Sequence, residues 1–243
     1  MREPLVSPRV VGVGLTLFDR LTSRALSLLG LDFDISFEQE PFHAITQTLT
    51  LGSRPAPEQI DDLKALGITH VVSCLPESER QSVAFLGDDF ETLFLPLRDG
   101  IHEDIGALFP EFFEFVTSAG QGRVLVHCEV GVSRSATLVT AHLMKTDRIR
   151  FYEAYHQVRT RRAQVLPNVG FASQLQRFER TLIPEPRSDG YTSLTRYLKE
   201  VCNVPVEIEV LQDLLELHEY DALPAIRAIF GDEVPRVIQG VRL

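Results

Sequence analysis

The stretch VLVHCEVGVSRSA, Val124 to Ala136, decides the reading of this chain. It is a buried apolar strand, a tight loop with a central glycine, and the start of a helix. Each part has a job in holding a tetrahedral dianion. The backbone N–H groups of Glu129, Val130, Gly131, Val132 and Ser133 can converge on its oxygens, and the helix beginning near Ser135 adds the positive end of its dipole. Gly131 permits torsions that a side chain would resist. Arg134 can lay a planar guanidinium over two oxygens, a grip that Lys cannot reproduce. At the loop entrance, the same dipoles and Arg134 favour a thiolate on Cys128, which makes it a nucleophile. His127 is expected to orient the loop by hydrogen bonding rather than act as a base, and Ser135 to donate to the sulfur as it leaves. A single Cys after an apolar strand is ordinarily core packing. His, Cys, Gly, Arg and Ser at these fixed offsets coincide by chance only on the order of once in ten thousand in such a chain, so the functional reading prevails.

Working outward, strand and helix signals alternate, as a sheet covered by helices requires. Upstream, strands are expected at 48–51, 68–75 and 90–95, and helices at 57–66, closed by Gly67, and 105–119. In the second helix Phe109, Phe112, Phe113 and Val116 build one apolar face. Downstream, helices are expected at 135–145, 152–161 and 171–182. The fold class is α/β, a central, mostly parallel twisted sheet flanked by helices, over residues 43–183. Residues 1–42 form an N-terminal arm in which Leu15, Phe18, Leu21, Ala25 and Leu28 make an amphipathic stripe. Such a stripe can lie on a membrane surface, but packing on its own core is the commoner use. The run PEPRSDG, 184–190, has the composition of a linker and opens a C-terminal extension, 184–243, with helices expected at 191–201, 208–220 and 222–230. From Glu185 onward Lys and Arg number 6 against 11 Asp and Glu, an acidic tail that could cap the core or bind a partner.

The whole chain of 243 residues carries a formal net charge of -10, which argues against nucleic acid as a partner, because that binding rests on Lys and Arg displacing counterions. Cys74, Cys128 and Cys202 are odd in number and widely spaced, which suggests neither a disulfide framework nor a zinc site. A reducing compartment, cytoplasmic or nuclear, fits. The run 10–18 loosely mimics a signal-peptide core but lacks a clean cleavage site, and no run is long enough to span a bilayer.

His127-Cys128-x5-Arg134-Ser135 resembles the signature of cysteine-dependent protein tyrosine phosphatases, and HCEVGVSRSATL looks most like their dual-specificity branch. The likeness extends to LTLGS at 49–53, ITHVVSCLPE at 68–77, LPLRD at 95–99 and EAYHQVRTRRAQVLPNVGF at 153–171, about 140 residues in family order. The resemblance implies a phosphomonoesterase that works through a phosphocysteine, with no cofactor and no metal. Departure of an alkoxide needs an acid, and Asp99, after LPLR, is the leading candidate, with Glu103 and Asp104 as rivals. The family uses an Asn at the position of Asn168 to brace the phosphate loop. Some relatives keep a second cysteine near the position of Cys74, able to form a disulfide with the nucleophile. Between 145 and 162 six cations face two acids, which suggests a rim that attracts phosphate.

The activity expected is hydrolysis of phosphotyrosine and of phosphoserine or phosphothreonine on proteins. A lipid, RNA or carbohydrate phosphate is the alternative within the same chemistry, and the acidic Glu129 inside the loop argues against polyphosphorylated lipids. A phosphoprotein-binding scaffold is the alternative from another class. Loss of Cys, Arg or acid usually marks such a scaffold, and Cys128, Arg134 and Asp99 are all present.

Overall fold

A computed structural model describes residues 40–185 and 188–231. The amphipathic stripe between Leu15 and Leu28 lies outside the described residues. Five strands, β1 (Phe42–Ala44), β2 (Leu49–Gly52), β3 (Ile68–Leu75), β4 (Glu91–Pro96) and β5 (Arg123–His127), form one sheet in the order β1-β2-β5-β3-β4. Pairing is parallel except between β1 and β2. The strand that leads into the Cys128 loop is therefore central. Its residues Val124, Leu125 and Val126 are fully buried, as a parallel strand covered on both faces must be.

The helices are α1 (Ile60–Ala65), α2 (Phe109–Ser118), α3 (Arg134–Asp147), α4 (Phe151–Arg161), α5 (Val169–Leu182), α6 (Ser193–Arg196), α7 (Ile208–Leu217) and α8 (Ala222–Phe230). Gly67 ends the first of these at φ +74, where an L side chain would be strained. On α2 the expected stripe of Phe109, Phe112, Phe113 and Val116 is buried, and each phenyl contributes about 2 to 3 kcal/mol by leaving water. Most boundaries fall within two or three residues of the expected ones. Three elements do not follow the sequence reading: β1 begins inside the stretch read as arm, residues Glu77–Asp88 form a run of 3-10 turns between β3 and β4, and the helix expected at 191–201 is α-helical only over Ser193–Arg196 before a π-helical turn over Tyr197–Val201.

The C-terminal extension joins the main core. Leu194, Tyr197, Leu198, Leu211, Leu215, Ala222 and Ile226 are buried in the same apolar cluster as Phe151, Tyr155 and Leu175. Tyr197 sits edge-on to Tyr155 at 5.0 Å and tilted against Phe151 at 5.4 Å, and its hydroxyl donates to the Pro167 carbonyl at 2.5 Å. Gln176 Oε1 accepts from Leu194 N at 2.8 Å, and Ser173 Oγ accepts from Ala222 N at 2.9 Å. Helix α5 is thus clasped by the extension along one side.

Candidate active site

The loop between β5 and α3 is shaped by where its carbonyls go. Cys128 O accepts from His127 Nδ1 (3.1 Å), Glu129 O from Arg54 N (3.0 Å), and Val130 O and Gly131 O from Arg162 Nη2 and Nε (2.9 and 3.0 Å). Val132 O accepts from Leu166 N (2.9 Å), and Ser133 O from Thr137 N (2.8 Å). All six carbonyls point outward to protein donors. In a planar trans peptide the N–H lies antiparallel to the C=O, so the six N–H groups of residues 129–134 face the other way, into the loop. Among the described residues none of them donates to a protein acceptor. Six inward amides at the N-terminus of a fourteen-residue helix form a nest for an oxyanion.

Gly131 makes the curve possible. Its φ is +68, and a Cβ there would stand 2.4 Å from Gly52 O at the end of the neighbouring strand β2.

Cys128 is fully buried at the base of this nest, and Ser135 Oγ donates to its sulfur at 3.2 Å. Arg134 is also buried; its Nη1 makes long contacts to Cys74 O (3.4 Å) and Leu97 O (3.5 Å). Its Nε carries no hydrogen bond and lies 3.7 Å from Asp99 Oδ2, so the guanidinium keeps donors uncommitted.

His127 is buried, and burial pushes its pKa down to about 4 despite the hydrogen bond to Cys128 O. The ring is neutral at physiological pH. A carbonyl can only accept, so Nδ1 holds the proton and Nε2 accepts from Ser73 Oγ at 2.7 Å. The two bonds fix the ring between Ser73 and the loop's first carbonyl.

Asp99 sits across the loop. Its Oδ1 accepts from Ser133 Oγ (2.7 Å) and from Asn168 Nδ2 (2.9 Å). Asn168 also receives Phe171 N on Oδ1 (2.9 Å) as the N-cap of α5, and its own backbone N donates to Ser133 Oγ (3.2 Å). Asn168 therefore ties Ser133 of the loop, Asp99 and α5 together. The rivals are otherwise engaged: Asp104 Oδ1 accepts from Ala107 N (3.1 Å), and Glu103 pairs with Arg98 (3.0 Å).

Cys74 is buried in β3, one residue past the Ser73–His127 register pair. Burial, then the nearby Cys128, pushes its thiol pKa well up. All three cysteines are free thiols.

Five of the six cations expected to form a rim bond or stack on the protein itself, among them Arg148, whose Nη1 donates to Leu182 O at 3.4 Å. Lys145 stacks on Phe113, Arg150 pairs with Glu179, and Arg159 bonds Tyr155 Oη. Arg162 is 2 % exposed and lies beneath the loop, bridging Val130 O and Gly131 O to Pro41 O, just before β1, and to His43 Nδ1 within it. Burial lowers its pKa only to about 10, so it stays charged. Its role as a loop clamp, and that of Arg54, escaped the sequence reading. Arg54 pairs with Glu129 and Glu79, so the loop's one acid is neutralised. The Gly-Ser-Arg end of β2 was the available signal, since the carboxyl ends of parallel strands gather at one crevice.

The model of the dual specificity phosphatase catalytic domain matches residues 49–181, more than half of the chain. Dual specificity protein phosphatase 1B of Arabidopsis thaliana is 40% identical over 143 residues, 57% of this chain and 81% of the relative. The human dual specificity protein phosphatase 1 is 36% identical over 172 residues, 67% of this chain and 46% of the relative. The chain thus spans less than half the length of that human relative. The crystal structure of the human tyrosine phosphatase-like serine/threonine/tyrosine-interacting protein superposes with TM-score 0.54 at 32% identity, covering 58% of this chain and 96% of that one.

Proposed function

The chain belongs to the dual specificity phosphatase family, and on that premise we propose that it hydrolyses phosphotyrosine and phosphoserine or phosphothreonine on protein substrates through a phosphocysteine at Cys128. The observation that carries the reading is the outward turn of six consecutive carbonyls, which leaves six amides and an uncommitted Arg134 edge around the sulfur.

The ester's phosphoryl group sits in the amide nest, its oxygens held by N–H groups 129–134 and by Arg134. The Cys128 thiolate forms the S–P bond as the P–O bond to the leaving oxygen breaks. Asp99 gives that oxygen its proton. Oδ1 accepts from Ser133 and Asn168, which leaves Oδ2, 3.7 Å from Arg134 Nε and beyond hydrogen-bond distance of it, to carry the proton. Water then attacks phosphorus, the carboxylate takes the water's proton, and the electrons of the S–P bond return to sulfur, where the Ser135 hydroxyl receives the charge. The Cys128 sulfur must stay reduced, so the reading places the work in a reducing compartment, the cytoplasm or the nucleus.

A lipid or other non-protein phosphate is the second reading. The Arg54–Glu129 pair favours it to the extent that it removes the repulsion Glu129 would offer. Residues 129–133 still include no Lys or Arg to meet additional phosphates, and the protein reading stands ahead. Turnover of para-nitrophenyl phosphate, phosphopeptides and phosphoinositides by the wild type, Cys128→Ser and Asp99→Ala tests both. Peptide turnover that survives Cys128→Ser would sink the mechanism; turnover of lipid alone would replace the substrate.

A further inference from the structure

The loop that carries Asp99 runs from Leu97 to Leu108, and its far half is held by a side chain with no assigned role. Gln174 Nε2 donates to Glu103 O at 2.8 Å, and Gln174 Oε1 accepts from Gly106 N at 2.8 Å. One amide thus spans the turn from both ends, with Asp104 between them capping Ala107 N. One helical turn earlier on the same face of α5, Gly170 is so close to the loop that a Cβ would stand 1.9 Å from Ile101 O. At the start of the helix Asn168 binds Asp99. Helix α5 therefore holds the loop at three points: Asp99 through Asn168, Ile101 through the bare Gly170 backbone, and Glu103 to Gly106 through Gln174.

Between the buried Leu97 and Ile105, the loop's other flank is open. Ile101, Glu103 and Asp104 line an open groove shared with Phe178, Leu223 and Arg227 of α5 and α8. Leu97 and Ile105 anchor the loop's ends in the core, and between them the turn from Glu103 to Gly106 is held to α5 by the two Gln174 hydrogen bonds. Gln174 itself is set by α5, which the extension clasps from the other side through Ser173 and Gln176.

We propose that Gln174 is a positioning residue for the acid: it fixes the loop from Leu97 to Leu108 so that the Asp99 carboxyl stands over the phosphate nest. The inference rests on Asp99 as the acid of the proposed reaction. A carboxyl displaced by an ångström protonates the leaving oxygen poorly, and a misplacement of that size costs roughly a hundredfold in reactions that depend on positioning. The loss then follows the leaving group, because an ester whose oxygen departs easily unprotonated does not need the acid.

The experiment compares wild type, Gln174→Ala and Asp99→Asn across aryl phosphates from 2,4-dinitrophenyl to phenyl phosphate, with hydrogen exchange of the 97–108 segment measured alongside. Wild-type kcat/KM is expected to change little along the series and that of Asp99→Asn to fall steeply. Gln174→Ala should lose roughly tenfold or more on phenyl phosphate relative to the dinitrophenyl ester, a fraction of the full positioning effect, and blunt the basic limb of the pH profile. Exchange should rise across 98–106 while the 123–127 strand stays protected. An equal loss on every ester, a wild-type slope, or unchanged exchange across 98–106 overturns the role of Gln174 and leaves Asp99 standing. A flat series for Asp99→Asn removes the acid itself and the inference with it.

Discussion

Ser135 Oγ donates its hydrogen to the Cys128 sulfur at 3.2 Å, from the first turn of the helix that follows the phosphate loop. The hydroxyl is buried, so the bond is made without competition from water. It stabilises sulfur most when the sulfur is an anion, the state regained as phosphocysteine breaks down. Ser135→Ala should therefore slow hydrolysis of the intermediate more than its formation, by roughly tenfold to a hundredfold, the worth of one hydrogen bond to a charged group. Rapid-quench kinetics should show a burst of released phenol followed by a slow steady state. A uniform fall in both phases would contradict that role.

Gly131→Ala should abolish turnover and weaken folding. The new Cβ meets backbone oxygen, not a side chain that could swing aside, and the φ of +68 strains any L residue. The loop must open, which turns the Val130 and Gly131 carbonyls off Arg162. Vanadate, an analogue of the oxyanion, should no longer bind in isothermal titration. Binding at wild-type affinity would mean the amide nest does not form the site.

Arg162→Lys keeps the charge and removes the fork. One ammonium cannot reach Val130 O, Gly131 O, Pro41 O and His43 together, so buried loop carbonyls lose donors at about 1 to 3 kcal/mol each. Vanadate affinity and kcat/KM should both fall by an order of magnitude or more, with a lower Tm. A surface cation that only attracts phosphate would instead be replaced by Lys with little loss, and the effect would fade with salt.

The sheet strands, the helices of the core and the loop chemistry could be read from sequence because each is written in contiguous residues: apolar runs such as Val124–Val126, the 3.6-residue stripe on α2, and the offsets between Cys128 and Arg134. What stayed hidden was written across distance. Arg162 grips a carbonyl 31 residues away, and Arg54 pairs with a carboxylate 75 residues away, and neither spacing leaves a local pattern. Strand β1 is three residues long and pairs on one side only, too short for a period. The segment 77–88 is a succession of 3-10 turns with only Val83 and Leu86 buried, so no stripe announces it. Charge counting between 145 and 162 could not single out Arg162 for a related reason: it treats every cation as solvated, and this one is under the loop.

His127 makes stability depend on pH in a defined window. Its ordinary pKa is 6.5, and burial lowers it to about 4 in the folded protein. Between those values the unfolded chain binds a proton that the folded protein cannot, so stability falls as pH drops from about 6.5 towards 4 and is complete above it. The full contribution is about 3 kcal/mol. Urea denaturation at pH 7.5 and 5 should give a smaller loss of unfolding free energy for His127→Gln than for the wild type. Parallel pH dependences would show that His127 does not supply the slope.

Tyr197 connects the C-terminal extension to the segment that holds Asp99. Its ring fills the space between Phe151 and Tyr155, and its hydroxyl donates to the carbonyl of Pro167, the residue before the Asn168 that holds Asp99. Tyr197→Ala leaves a cavity in the main core and should cost roughly 3 to 5 kcal/mol, a fall in Tm of order 10 °C for a chain this size. Tyr197→Phe keeps the packing and frees only the Pro167 carbonyl, so it should spare most of the stability while lowering kcat more on phenyl than on dinitrophenyl phosphate. Deletion of 184–243 should be worse than either, since it bares Leu175 and the Phe151–Tyr155 face to water. Were the extension a separate module, the truncated protein would melt and turn over substrate as the full chain does.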